Sequence, residues 1–349
     1  MLASRRRFLG AIGTVGAVGI GGVTGCISLG RQPTVADLDE WPPADGGDDL
    51  AFWSWQDNWS NQAIAFQHVG DLETIERSAI PSNEQYERLA DGETPDAVQM
   101  TPREFDRAVR DDLLQPLPVD TLPSWPPDRE FRTDGLEFYE RDGEYYGIPH
   151  VPLTHAVAYH RTEVGEVRDV DSMGWGLLWE ESFANEISMP ADPVLAGQIA
   201  ALYTGQDPND PDDVDVVRDA LEVQRPLVRG YWHSFMEPFE AFRWSDLLVA
   251  ALPYSTMTLC SQDGISAEFV APDDGVVYGQ NSFGIPNGAE NPYGGLEFID
   301  WATKLRTGVE TTWGADQWTL FPARAVDDDL RDAYGSAAEA AGIEPSSLG

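Results

Sequence analysis

Apolar and polar positions alternate along the chain in two recurring patterns. Short runs of aliphatic and aromatic residues predict strands, and longer segments with apolar residues every three or four positions predict helices. Because the two kinds of segment alternate, the pattern predicts an α/β protein with helices packed outside a sheet. The predicted strands cover residues 50–55, 72–75, 96–100, 145–149, 156–160, 186–189, 247–252 and 267–270. The predicted helices cover residues 61–67, 82–89, 102–111, 175–181, 194–203, 213–228 and 294–306.

Two of these helices begin with a pattern typical of capping boxes. Ser82 precedes Gln85 by three positions, and Thr101 precedes Glu104 by three, with a proline at the first helical position of the second helix. In a capping box the first side chain accepts from a backbone N–H inside the helix and the second reaches back to the cap. We therefore expect reciprocal side-chain capping at both sites.

The first 26 residues follow a different pattern. Arg5 and Arg6 precede a glycine-rich, mildly apolar stretch that ends in Val-Thr-Gly-Cys at residues 23–26. This order resembles a twin-arginine export signal followed by a lipobox, in which Cys26 becomes lipid-modified. The alternative is a plain transmembrane anchor, but the stretch is short and weakly apolar for a span of about 20 residues. We expect a signal over 1–25, a flexible tether over 26–49, twin-arginine export, and lipid anchoring on the outer face of the cytoplasmic membrane.

Charge adds a constraint on the environment. The 349 residues include 60 acidic and 22 basic side chains, for a formal net charge of −38, and Lys304 is the only lysine. Such a composition is typical of extreme halophiles and indicates a haloarchaeal type of protein. In molar salt the Debye length falls to about 3 Å, so diffuse charge identifies no partner. The acidic excess argues against nucleic-acid binding, and 42% hydrophobic residues exclude a disordered chain.

The sequence gives no reason to expect catalysis. It contains no Gly-x-Ser-x-Gly, His-Glu-x-x-His or phosphate-binding glycine loop. His150, His155 and His160 are five positions apart, which separates them on a helix or a strand, so we interpret them as ordinary structural residues. With Cys26 lipidated, Cys260 would be the only free thiol and no disulfide could form. We expect no cofactor, no metal site and no enzyme activity.

Aromatic residues are the candidate ligand contacts. The chain has 12 Trp, 11 Tyr and 14 Phe. Trp53 and Trp55 share one face of the first predicted strand, and Trp59 follows it. Ligands of α/β sheets bind at the carboxyl ends of strands, where aromatic faces stack on sugars or hold organic cations. Trp53 and Trp55 could each line such a site or belong to the core.

Eight short landmarks occur in a fixed order along the chain. They include Phe-Trp-Ser-Trp at 52–55 and Tyr-Gly-Ile-Pro at 146–149, and the others lie at residues 82–84, 95–98, 172–179, 187–192, 272–275 and 283–286. Together with the N-terminal signal, they resemble the solute-binding proteins of ABC importers, in particular the spermidine/putrescine-binding branch.

The resemblance implies a type II periplasmic-binding-protein fold, with two α/β lobes joined by crossover strands and a ligand cleft between them. The implied first lobe covers 50–154 plus about 280–320, and the second covers 155–279 plus about 321–349. Hinge closure would capture a small solute. The implied partners are an ABC permease and its ATPase, and the protein would be a monomer.

Carried over residue by residue, the resemblance implies a set of ligand contacts that departs from the polyamine pattern. An aromatic cage position of the family falls on Arg103, one acid falls near Val194 or Leu195, and the late aromatic and acid fall near Gly279 and Asn281. Desolvated ammonium groups need paired carboxylates, so we expect a neutral or singly charged polar ligand, and Arg103 admits an anionic group. The implied contacts are Trp55, Gln56, Trp59, Thr101, Asp192, Tyr254, Tyr278 and Asn281.

Three other functions are weighed against a polyamine-like receptor. A sugar, thiamine or other small-molecule receptor would share the fold. A surface lipoprotein without a transport role would show a degenerate cleft. An exported enzyme would need a pair of catalytic carboxylates, and no pair stands out among the 60 acidic residues.

Overall fold

The structure, a computed structural model, divides the chain into two units, Met1–Gln32 and Pro33–Gly349. All features described below lie in the second unit. The predicted signal and Cys26 therefore lie outside the described residues. Within the described ranges, no helix is both long enough and apolar enough to cross a membrane. The structure describes residues 34–43, 47–55, 63, 65–67, 72–125, 139–165, 169–234, 236–254, 256–270, 272–305, 320–322 and 328–343.

One mixed sheet of ten strands organises the described part of the chain. Its order is β2-β1-β3-β11-β6-β9-β7-β8, with β10 paired to β6 and β12 to β11, while β4 and β5 form a separate hairpin. The strands are β1 (Asp49–Ser54), β2 (Thr74–Ala79), β3 (Ala97–Met100), β4 (Glu140–Arg141), β5 (Glu144–Tyr145), β6 (Ile148–His160), β7 (Ile187–Pro190), β8 (Val228–Trp232), β9 (Val249–Pro253), β10 (Ala267–Val270), β11 (Val276–Gly284) and β12 (Leu320–Pro322).

Helices connect the strands and cover the sheet. The described α-helices are α1 (Ser82–Ala90), α2 (Pro102–Arg110), α3 (Val170–Met173), α4 (Pro193–Tyr203), α5 (Val214–Gln224), α6 (Met236–Arg243), α7 (Thr256–Gln262), α8 (Pro292–Leu305) and α9 (Asp328–Ala340). Short 3-10 turns lie at Val35–Asp37, Val119–Thr121, Gly174–Trp179 and Glu181–Phe183, and a π turn lies at Arg161–Gly165.

Strands β6 and β11 cross from one end of the sheet to the other. The first half of β6 pairs antiparallel with β11, and its second half pairs with β9 and β10. The end of β11 pairs antiparallel with β3. The outer pairs are parallel at both ends, β2-β1-β3 on one side and β9-β7-β8 on the other. This arrangement is the two-lobed type II fold, with β6 and β11 as the crossover strands.

Each lobe has its own apolar core. In the first lobe, the Phe298 ring of α8 packs against Phe52 at a centroid distance of 4.6 Å and against Phe283 at 6.1 Å. In the second lobe, Trp175 is fully buried and the Tyr334 ring of α9 packs against α4. A Cβ at Gly197 would lie 2.4 Å from that ring, so only glycine allows the two helices to approach this closely.

The structure corrects several predicted elements. The strands predicted at 145–149 and 156–160 are one 13-residue strand, β6, preceded by the short β5. The helix predicted at 213–228 ends at Gln224 and is followed by β8, which was not predicted. Helices α6, α7 and α9 were also not predicted. Helices α6 and α7 have only eight and seven residues, so their apolar positions show no sustained period.

Both capping-box predictions are wrong in their geometry. Helix α1 has Pro81 as its N-cap, and the Gln85 side chain instead donates to the carbonyls of Ile80 and Gln99 at 2.8 and 3.1 Å. Thr101 is the N-cap of α2, but its hydroxyl bonds the Glu104 carboxylate and not a helical N–H. Gln85 thus bonds backbone carbonyls outside its helix, and Thr101 and Glu104 bond each other instead of the backbone N–H groups that the capping-box pattern assigns to them.

Candidate functional site

The carboxyl ends of strands from both lobes face the same region. Thr101 follows β3 in the first lobe, and Asp192 follows β7 by two residues in the second. Tyr254 follows β9 directly, and its backbone N–H donates to the Thr154 carbonyl of β6 at 2.8 Å. Because strand ends of α/β sheets collect ligand-binding residues, this inter-lobe region is the candidate site.

An ion pair closes this region between the lobes. Arg103, in the first turn of α2, donates from Nη2 to Asp192 Oδ2 and from Nη1 to Asp192 Oδ1 at 3.4 Å. Both side chains are partly exposed, 26% for Arg103 and 36% for Asp192. The pair is bidentate and joins residues on different lobes.

Each member of the ion pair is held by its own lobe. Arg103 Nε donates to Glu104 Oε1 at 3.1 Å, and the Glu104 carboxylate also accepts from the Thr101 hydroxyl. Asp192 is the N-cap of α4, and its Oδ1 accepts from the backbone N–H groups of Val194 and Leu195 at 2.9 and 3.2 Å. The two charges are therefore fixed in position before they meet.

Electrostatics keep both groups ionised. Burial by itself would raise the pKa of Asp192, but the Arg103 guanidinium and the two backbone N–H groups together lower it below its ordinary value. Burial would lower the pKa of Arg103, but Asp192 and Glu104 raise it above its ordinary value. The region thus presents a fixed positive and a fixed negative charge side by side.

An uncharged histidine lies beside this pair. His155 is buried on β6, opposite Pro253 at the carboxyl end of β9. Its burial lowers the pKa to about 4, an effect that Asp192 opposes and Arg103 adds to. The imidazole stacks on the Trp232 indole with ring centroids 6.3 Å apart. Trp232 lies close to Asp192 in the chain fold, because its backbone carbonyl accepts from the backbone N–H of Ala191, the residue before Asp192.

The floor of the region carries buried amides without partners. Ser282 of β11 lies opposite Met100, the last residue of β3, so Gln280 and Asn281 lie just beyond the end of β3. Both side chains are 1% exposed. Neither amide atom of Gln280 has a hydrogen-bond partner, nor does Asn281 Oδ1. Buried polar atoms are almost always paired in the absence of a ligand or water, so this floor can accept additional hydrogen bonds.

The structure brings together part of the predicted ligand contacts. Thr101 and Asp192 lie at the ion pair, and Asn281 lies on the floor. Trp55 directly follows β1, is half-buried, and has an indole N–H with no hydrogen-bond partner.

The two predicted tyrosines lie on either side of the crossover. Tyr254 packs edge-on against Phe269 at a centroid distance of 5.7 Å. Tyr278 is 7% exposed in β11, opposite Thr154 of β6. Gln56 and Trp59 lie outside the described residues, as does the side chain of His150.

Three residues of the region were not among the predicted contacts: Arg103, His155 and Trp232. Arg103 was noted only as a position that admits an anion, and His155 was interpreted as structural. Trp232 was assigned no role because the predicted helix obscured strand β8. In this region Trp232 is the aromatic ring stacked on His155.

The described residues offer no metal centre. Within them, no group of three or more His, Cys, Asp or Glu side chains could hold a metal ion. Cys260 is buried as a free thiol, and burial raises its pKa to about 11.

Comparison with known proteins identifies the family. The model of the bacterial extracellular solute-binding proteins matches residues 65–327, more than half of the chain. The chain belongs to this family. Its members are solute-binding proteins and not enzymes. This accords with the candidate site in the inter-lobe region, at the carboxyl ends of the strands.

Individual relatives of this solute-binding family show a more specific likeness. Spermidine/putrescine-binding periplasmic protein 1 of Haemophilus influenzae is 25% identical over 242 residues, which cover 67% of this chain and 65% of that relative. The match thus spans less than two thirds of the curated relative's length.

Solved structures share the fold at low identity. A protein of Listeria monocytogenes described as a spermidine/putrescine ABC transporter is 15% identical with a TM-score of 0.69, and covers 85% of this chain and 99% of its own. The TpPotD lipoprotein of Treponema pallidum is 15% identical with a TM-score of 0.68, and covers 84% of this chain and 99% of its own.

Proposed function

We propose that this solute-binding protein is the receptor of an ABC importer, with a ligand site altered from that of a polyamine receptor. The observation that carries the proposal is the Arg103–Asp192 pair in the inter-lobe region. A diamine site needs carboxylates free to pair with ammonium groups. Here Asp192 is already paired, and Asn281 stands where the relatives of the resemblance have an acid.

The proposed site comprises the residues at the strand ends and on the floor. Thr101, Arg103 and Asp192 supply charged and hydroxyl groups, and Asn281 supplies an Oδ1 atom without a hydrogen-bond partner. The aromatic walls are Trp55, Tyr254 and Tyr278, with Gln56 and Trp59 proposed from the resemblance alone. A few convergent polar groups among aromatic rings are typical of small-molecule sites.

The proposed lobes follow the crossover strands. The first lobe comprises residues 50–154 plus about 280–320, and the second comprises 155–279 plus about 321–349. Helix α8 packs on Phe52 of β1, and α9 contributes Tyr334 to the core around Trp175, which supports assigning these helices to different lobes.

We further propose that the receptor is a monomeric lipoprotein exported by the twin-arginine route in a halophile. Arg5, Arg6 and Cys26 support export and anchoring, and the acidic, lysine-poor composition supports high salt. The solute would pass to a permease and its ATPase. Mass spectrometry of the membrane-bound protein tests for a lipid on Cys26. In a separate test, Cys26→Ser should release the protein into the medium.

The test of binding is intrinsic tryptophan fluorescence of the full chain carrying Cys26→Ser, in molar KCl. Trp55 and Trp232 lie at the proposed site and should report closure. Titration covers polyamines, sugars, thiamine, amino acids and organic anions. We expect saturable binding of one class without turnover, with a non-polyamine ligand tightest. No response from a folded sample would instead support a surface lipoprotein without a transport role.

A further inference from the structure

The ion pair across the cleft restricts the charge of the solute. Arg103 and Asp192 are both partly exposed at the place where the lobes meet. Each is also bonded by its own lobe, through Glu104 on one side and the start of α4 on the other. A solute that enters between the lobes must therefore replace an ionic contact on both sides.

Charge balance distinguishes the possible solutes. A diamine could pair with Asp192, but it would leave Arg103 facing a second positive charge. A dicarboxylate could pair with Arg103, but it would leave Asp192 facing a second negative charge. Separating a partly buried pair is costly when either charge is left without a partner. A solute with one carboxylate and one ammonium group replaces both partners at once.

The surroundings fit such a solute. The Arg103 guanidinium offers two N–H groups in the fork that a carboxylate accepts. On the Asp192 side, the neighbouring His155 is uncharged at neutral pH, because burial lowers its pKa to about 4. It therefore adds no positive charge to repel an ammonium group. The Trp232 indole stacked on it offers a face for a cation.

We propose that the solute is a small zwitterion whose carboxylate displaces Asp192 from Arg103 and whose ammonium group pairs with Asp192. This inference rests on the proposed receptor function and names the chemical class of its ligand. The Gln280 side chain lies on the same face of β11 as Gly284, which packs against Phe105 of the helix that carries Arg103, and its amide would supply hydrogen bonds to the body of the solute.

Matched ligand series provide the test. Isothermal titration calorimetry of the full chain carrying Cys26→Ser would compare neutral α-amino acids and ω-amino acids with diamines, dicarboxylates and diols of the same carbon numbers. The expected result is that the tightest ligand is an amino acid. A diamine, dicarboxylate, diol, sugar or thiamine as the tightest ligand would overturn the inference and leave the receptor function intact. Binding of none of these by a folded sample would overturn both.

Single substitutions sharpen the charge argument. Arg103→Gln should weaken the best zwitterion by about 10- to 100-fold and improve diamine binding, because Asp192 loses its partner. Asp192→Asn should weaken the zwitterion similarly and improve dicarboxylate binding. The readout is the ratio of affinities between ligand classes, which a merely destabilised fold would not reverse. An unchanged ratio in both variants contradicts the inference.

A matched control lies on the same helix. Arg110 pairs with Asp106 at 2.6 Å within α2, away from the strand ends. Arg110→Gln removes the same charge and should leave the affinity ratio unchanged. If it shifts the ratio as far as Arg103→Gln does, the net charge of the chain and not the ion pair would explain the effect.

Discussion

Two buried glutamines in this protein have opposite surroundings. Gln115, 2% exposed in the first lobe, accepts from the Val35 N–H at 3.0 Å and donates to the Pro286 carbonyl at 2.9 Å. Gln280, 1% exposed on the cleft floor, has no hydrogen-bond partner for either amide atom. The Gln115 side chain links three chain segments, whereas the Gln280 side chain links none.

The contrast separates polar groups that serve the fold from polar groups that remain available. A buried amide stabilises a fold only when its donors and acceptors are paired. An unpaired buried amide lowers stability and persists where something else uses it. The cleft floor and the interior of the first lobe therefore should respond differently to the same substitution.

The largest expected effect is on the first lobe. Gln115→Leu removes both hydrogen bonds. It leaves the buried Val35 N–H unpaired, and the Pro286 carbonyl keeps only the weaker bond from the Ala289 N–H at 3.3 Å. We expect the free energy of unfolding to fall by about 2–4 kcal/mol, measured by denaturant titration in constant salt. A loss below about 1 kcal/mol would mean that water replaces the amide, and the contrast with Gln280 would disappear.

The next effect is the pH dependence of the free energy of unfolding that His155 of strand β6 introduces. The folded protein holds the pKa of His155 at about 4, below the value of about 6.5 in the unfolded chain. The unfolded state therefore binds a proton first as pH falls. The contribution of uncharged His155 to the free energy of unfolding is therefore fully present above pH ~6.5. It is lost progressively towards pH ~4, by up to about 3 kcal/mol.

Denaturant titrations between pH 7 and pH 4 measure this loss. His155→Gln should flatten that part of the pH profile. The control His233→Gln, at an exposed position beside Trp232, should leave it in place. Equal pH profiles for His155→Gln and the parent protein would rule out His155 as the source.

A smaller effect on stability is expected at the ion pair. Arg103→Gln leaves the Asp192 and Glu104 carboxylates without their charged partner. Because the pair is partly exposed and Asp192 keeps its two backbone N–H donors, the free energy of unfolding should fall by about 1–2 kcal/mol. Because the pair joins the lobes, the two lobes of the ligand-free Arg103→Gln variant should nevertheless move apart. Small-angle X-ray scattering should show a larger radius of gyration for Arg103→Gln and an unchanged one for Arg110→Gln. Equal radii for both variants would show that other contacts hold the lobes together.

The smallest effect on stability is expected at the cleft floor itself. Gln280→Leu breaks no side-chain hydrogen bond and removes two unpaired buried atoms, so the free energy of unfolding of the ligand-free protein should not fall and should rise by less than about 1 kcal/mol. The affinity for the solute should fall by about tenfold. Denaturant titration and calorimetry on the same variant measure both. A loss of stability equal to that of Gln115→Leu would mean that Gln280 serves the fold.

The sequence predicted the local elements of this fold better than their extent. The strand at 96–100 and the helix at 194–203 coincide closely with β3 and α4, because their apolar runs are bounded by clear signals. Strand β6 was divided because Pro149 and Pro152 interrupt its pattern, although the crossover position accommodates both. Pairing with β11 and β9 overrides that local signal.

For the site, the sequence predicted individual positions but not their pairing. Residue-by-residue comparison with the resembled family led to Thr101, Asp192 and Asn281 as ligand contacts, which stays a prediction; the structure places them near the ends of β3 and β7. The contact of Arg103 with Asp192 links positions on different lobes, and no local pattern contains it. His155 was interpreted as structural, and its position beside that pair depends on burial that only the folded chain creates.

The pairing of β11 with β3 bears on how the protein is made. Met100 lies beside Ser282 in the sheet, and Gly197 in the second lobe is covered by Tyr334 near the end of the chain. Neither lobe is therefore complete until segments far along the chain, around Ser282 and Tyr334, have been synthesised. Such distant pairings make folding slow. Until they form, apolar surface of both lobes stays uncovered, and the growing chain is exposed to aggregation.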